Sequence, residues 1–201
     1  QYQWFFWRGA RIPYLLILAH IYLSGEGDEL LTIGNFIADT VRGKEYLQYP
    51  EAMQRGILLH RRIDTFTDAH TIFRKSKHRL VPTYNHYAGV LVDIFYDYCL
   101  AKHWKEYSDK SLEQYVQHFY DALERHQYLL NDKAQTLSKY IIAERWLESY
   151  QTFEGICSIL YRMDRRTGFV SKMQYAIEDL KRDEKLYEEE FTQFFKEIQM
   201  M

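Results

Sequence analysis

The stretch from Gly56 to His70, GILLHRRIDTFTDAH, sets an imidazole and two carboxylates at helical spacing: His60, Asp64 and Asp68. On a helix advancing about 100° per residue, Asp64 falls roughly 40° and Asp68 roughly 80° from His60, while Leu59, Ile63 and Phe66 gather roughly 100° the other way. One flank is then core, and the next is a row of metal-type ligands. A histidine and an aspartate one turn apart project side by side and both reach a single divalent cation. Arg61 falls beside the carboxylates, whereas Arg62 points away from them.

Further ligands of the same kind lie on other segments: His20, Asp39, and the pair Asp93 and Asp97, which share one helix face. Mixed imidazole and carboxylate donors suit manganese, iron, zinc or magnesium, and the lack of thiolates argues against a structural zinc site. Histidines and aspartates gathered from several helices of a bundle build the centres of helical metallophosphohydrolases. No glycine-rich phosphate loop, nucleophile elbow or dinucleotide fingerprint competes with this reading.

The elements that must position these residues are all helical by pattern. The chain has 201 residues, 47% of them hydrophobic, with 3 prolines and 9 glycines. It is long enough for one domain with a real core. Helical periodicity runs through IPYLLILAHIYL (Ile12 to Leu23), DELLTIGNFIADTVRG closed by Gly43, the central stretch with Pro50 near its start, and TIFRKSKHRL broken by Pro82. It resumes in His86 to Trp104, Ser108 to Leu130 with Ser111 or Ser108 as N-cap, Lys133 to Tyr150 and Phe153 to Met163. It then runs from Ser171 to Ile198, with Tyr187, Phe191, Phe194 and Phe195 as a core stripe. No alternating strand pattern, repeat or low-complexity linker interrupts it. One compact all-α domain over residues 15–201 is expected, with 1–14 as an N-terminal extension.

The segment from Ile12 to Leu23 is too short to span a bilayer, which takes about 20 apolar residues, and it is read as a buried first helix rather than a signal sequence. A net charge of −2 excludes a whole-molecule nucleic-acid footprint. Cys99 and Cys157 form no CxxC pair or disulfide framework, as expected of a reducing, cytoplasmic setting.

In order and spacing, LAH-x-YLSG, GNFIAD-x-VRG, GI-x-x-HRRID-x-x-TD and VDIFYD-x-x-LA-x-HW resemble the acyl carrier protein phosphodiesterase family. The resemblance runs from about Leu15 to the C-terminal helix. It implies a helical fold distantly similar to HD-domain phosphohydrolases and a manganese-dependent removal of 4′-phosphopantetheine from holo acyl carrier protein. Position by position, the family's acids and histidines land on His20, Asp39, His60, Asp64, Asp68, Asp93 and Asp97. The metal is then expected on Asp39, His60, Asp64, Asp93 and Asp97, with His20, Asp68, Arg61 and Arg42 handling water and phosphate. The pattern departs at Leu16, where the family has asparagine, at Tyr98, where it has histidine, and at Thr71, where proline is common.

Two other readings share these residues: a phosphohydrolase of nucleotides or other small phosphoesters, and a helical carrier-protein-binding protein whose site has decayed, with Tyr98 as its motive. Acyl carrier proteins are small and acidic, so a chain of net charge −2 needs a local basic surface to recognise one. Arg74, Lys75, Lys77 and Arg79, the densest basic cluster, are the expected docking residues, reinforced by Arg42, Lys44 and Arg61.

Overall fold

The computed structural model describes residues 17–201. Among them ten α-helices and several short 3-10 turns follow one another, and no strand occurs. α1 (Ile17–Leu23) is the described part of the apolar first segment, buried from Ile17 to Ile21. The rest of that segment, Leu16 and the 1–14 extension lie outside the described residues. Asp28 caps α2 (Glu29–Ile37), accepting from the Leu31 N–H at 3.0 Å. α3 (Glu51–Ala69) begins directly after Pro50, where a missing N–H removes no helical hydrogen bond. α4 (Thr71–Tyr84) follows after the single residue His70, and α5 (Ala88–Lys102) is buried along most of its length.

α6 (Leu112–Arg125), α7 (Asp132–Ala143), α8 (Phe153–Arg166), α9 (Ala176–Arg182) and α10 (Glu184–Ile198) complete the bundle. Ser111 and Gln114 form a capping box at the start of α6. The predicted stripe of α10, from Tyr187 to Ile198, is buried, and the helix packs on α4 and α5. No helix among the described residues is long and apolar enough to cross a membrane.

Several boundaries differ from the sequence expectation: α6 ends at Arg125 and α7 at Ala143, short of Leu130 and Tyr150, and three further cases have a visible cause. α2 stops at Ile37 instead of running to Gly43, because the chain tightens into a 3-10 turn, Ala38–Thr40, with the Ala38 N–H donating to Asn35 O. Asp39 therefore sits on a turn rather than on a helix face. Pro82 does not break α4. It lies near the end of the helix, where its missing N–H forfeits one hydrogen bond, and the helix ends only at Asn85 with φ +50. The single helix expected from Ser171 to Ile198 is interrupted at Asp183, where Arg182 Nη2 binds the Asp179 and Asp183 carboxylates at 2.9 and 2.8 Å.

Candidate metal centre

α2 and α3 cross at backbone contact through two glycines. A methyl group on Gly34 would strike the Met53 backbone, and one on Gly56 would strike the Leu31 carbonyl and the Asn35 backbone nitrogen. The neighbours are main chain and cannot swing aside. This approach brings Asn35, next to Gly34, against His60, one turn after Gly56.

Asn35 is fully buried and organises the site. Its Oδ1 lies 2.8 Å from His20 Nδ1 and 3.1 Å from His60 Nδ1. Its Nδ2 donates to His20 O and to Ser24 Oγ, each at 2.9 Å, which fixes which end of the amide faces the imidazoles. A carbonyl oxygen only accepts, so both rings present Nδ1–H to it and turn Nε2 the other way. The rings stack at 4.1 Å with an interplanar angle of 23°. His20 Nε2 is 3.2 Å from Asp64 Oδ1, and His60 Nε2 is 3.3 Å from Asp64 Oδ2 and 3.4 Å from Asp39 Oδ1. One ligand atom from each of His20, His60 and Asp64 lies within 4.8 Å of the others. At metal–ligand bonds of about 2.0–2.2 Å these donors fit around one ion.

The electrostatics support a cation. Burial lowers the His20 pKa, and neighbouring His60 lowers it further against the pull of Asp64. Burial also works against a charge on His60, but the hydrogen bonds it donates to Asp39 and Asp64 win and raise its pKa to about 9. Although burial opposes it, the two histidines hold Asp64 well below the usual carboxylate range. The balance that keeps a proton on His60 favours a divalent cation in place of that proton.

Asp97, expected among the ligands, faces the start of α1. Its two oxygens accept from Leu18 N at 3.0 Å and Ala19 N at 2.9 Å. Burial raises its pKa to about 8 against these donors and the Tyr150 hydroxyl. It clamps the first residues of α1 and so holds His20, one residue beyond Ala19. Asp93, one turn earlier on α5, feels Asp64, Asp97, Asp68 and Asp39, and burial first and these acids second push its pKa well above the usual range. Asp68 is exposed, and its carbonyl accepts from Arg74 Nε at 2.8 Å. Arg61 donates to Val41 O at 3.3 Å and lies over the Tyr46 ring at 5.3 Å, bracing the segment after Asp39. Arg42 is exposed on that segment.

The expected docking cluster is partly consumed by the fold. Arg79 forms a paired hydrogen bond to buried Glu190, at 2.7 and 3.1 Å, and Lys75 Nζ is 3.6 Å from the same carboxylate. Tyr98 donates to Glu184 Oε1 at 2.5 Å and stacks on Phe153. Asn35 and Asp97's partner Tyr150 received no role from the sequence. The signal available for Asn35 was a polar amide on an otherwise apolar helix, four residues before Asp39.

A sequence model of the family described as acyl carrier protein phosphodiesterase matches residues 17–198. The chain belongs to that family. An acyl carrier protein phosphodiesterase of Photorhabdus laumondii is 31% identical over 179 residues, 89% of this chain and 90% of that one. Proteins of the same name from Yersinia pestis and Serratia proteamaculans are 31% and 30% identical, covering 80% and 90% of this chain. No solved structure matches. The family match spans every residue of the centre, from His20 to Asp97.

Proposed function

We propose that this chain is a divalent-metal-dependent phosphodiester hydrolase that removes 4′-phosphopantetheine from holo acyl carrier protein. The observation that carries the reading is the Asn35 carbonyl oxygen, which orients two stacked imidazoles so that both Nε2 atoms meet Asp64. An outer hydrogen bond that fixes the tautomer is how proteins prepare histidine for a metal. The names of the relatives supply the substrate. His20, His60 and Asp64, with Asp39 beside them, would hold the cation; the donor set suits manganese, iron, zinc or magnesium, and manganese is the ion the family resemblance implies. Such an ion supplies a water of lowered pKa and neutralises charge on the phosphate oxygens.

The chain's own residues do the rest. Asn35 keeps the imidazole lone pairs aimed outward, and Asp97 fixes the start of the helix that carries His20. Arg61 and Arg42, on the rim next to Asp39, take a free oxygen of the phosphate. Exposed Asp68, one turn beyond Asp64, accepts a proton from the attacking water. Cys99 and Cys157 are free thiols, in keeping with a cytoplasmic role in carrier-protein turnover during fatty acid biosynthesis. Incubating the protein and manganese with holo carrier protein should shift the carrier's mass by loss of phosphopantetheine. No mass loss at any metal concentration would overturn the reading.

A further inference from the structure

Another surface borders the centre, on the outer side of α3. Leu47 and Leu58 are 58% and 40% exposed. Gln54, one turn before Leu58, donates to Leu47 O at 3.4 Å and Tyr49 O at 2.8 Å, which lays the 3-10 turn Glu45–Gln48 along α3. The turn that carries exposed Leu47 therefore lies beside the part of α3 that carries exposed Leu58. Helical spacing flanks Leu58 with Arg61 on one side and Arg62 on the other, roughly 60° and 40° around the axis. Arg42 and Lys44 stand on the segment leading from Asp39 to the same turn.

None of Arg42, Lys44, Arg61 and Arg62 makes an ion pair among the described residues. Glu45 and Glu51 also lie here, with Asp39 at the border, and Glu45 turns its carboxylate to the Arg42 backbone N–H. Four cations around two bare leucines form a locally positive, apolar-centred surface on a chain of net charge −2. Its chemistry complements an acidic protein with apolar side chains among its charges. By contrast, Arg79 and Lys75 of the α4 cluster face Glu190.

We propose that Leu47, Leu58, Lys44 and Arg62 dock the acidic carrier protein on the outer side of α3, next to the turn that carries Asp39. This rests on the function proposed above and names the surface that recognises the protein half of the substrate. The face needs no phosphodiester, so it binds the apo carrier protein as well as the holo form.

The test pairs Lys44→Glu with Arg62→Glu, and Leu47→Asp with Leu58→Asp, in the full chain. Each double variant is titrated with apo carrier protein and assayed on holo carrier protein, with manganese binding and melting temperature measured on the same samples. Charge reversal at two docking positions should weaken apo binding and raise the KM for holo carrier protein by about tenfold, with manganese affinity unchanged. The leucine pair should do the same, and Arg74→Glu with Lys77→Glu should change either value less than twofold. Wild-type binding by both face variants overturns the docking proposal and leaves the hydrolase reading standing, because the wild-type protein still cleaves. A larger loss from the Arg74 and Lys77 pair, or a loss of manganese affinity in the face variants, also overturns it. A wild-type protein that neither binds nor cleaves the carrier overturns the substrate assignment and the docking face together.

Discussion

A single amide decides the chemistry available at this centre. Asn35 receives two imidazole N–H groups on one oxygen and returns both of its own hydrogens to His20 O and Ser24 Oγ, so every polar atom of a fully buried side chain is used. Asn35→Leu keeps the approximate volume but leaves both Nδ1–H groups without an acceptor and free to change tautomer. Loss of such an outer-shell partner typically lowers metal affinity by about 10- to 100-fold. Competition with a chelating dye should report a loss of that size for Asn35→Leu. Wild-type affinity in this variant would mean that the imidazoles are oriented without the amide. Tyr98→Phe, which removes only the bond to Glu184, should bind manganese as the wild type does.

At the scale of helices, the centre depends on how closely α2 and α3 approach. Helix propensity alone predicts that Gly56→Ala stabilises the chain by about 1 kcal/mol. The added methyl would meet the Leu31 carbonyl and the Asn35 backbone, and overpacking against main chain costs about 1–3 kcal/mol, so destabilisation should win. Urea unfolding of Gly56→Ala should show lower stability together with weaker manganese binding, since Asn35 and His60 move apart with the helices. A more stable variant would contradict the backbone contact.

The pairing of α4 with α10 is a separate matter of charge. Burial would raise the Glu190 pKa, but Arg79 and Ser76 hold it below the usual carboxylate range. A carboxylate depressed on folding stabilises the protein above its unfolded pKa of about 4.3, and that contribution fades as pH falls through the folded value. Acid unfolding below about pH 4 should therefore be shallower in Glu190→Gln than in the wild type. Arg79→Met, which leaves buried Glu190 with Ser76 and the more distant Lys75, should cost about 1–3 kcal/mol. Lys77, which makes no ion pair among the described residues, should be replaceable by alanine within about 0.5 kcal/mol.

For the whole molecule, the candidate metal donors come from α1, from the turn after α2 and from α3, so an ion bound there would tie together segments spread over more than forty residues of sequence. Only the native state gathers them. Manganese at about 100 times its dissociation constant should add about 2.7 kcal/mol, and a chain of this size should then melt about 5–10 °C higher. Calorimetry with and without chelator measures the difference. A melting temperature indifferent to manganese at every concentration would contradict a site assembled by folding.

The sequence by itself determined the helical class, the buried face of α10, and α3 with the row of His60, Asp64 and Asp68 on it, because those follow from a period of about 3.6 residues. Its motifs also carried the family. Residue type and spacing did not separate ligand from support. Asp97 and Asp64 are both aspartates on helices, yet one clamps α1 and the other faces two imidazoles. Arg79 and Arg62 are both arginines in basic surroundings, yet Glu190, more than a hundred residues later, claims only the first. Those assignments wait on which helices touch, and here the contact is set by the bare backbones of Gly34 and Gly56, which bring Asn35 within reach of both histidines.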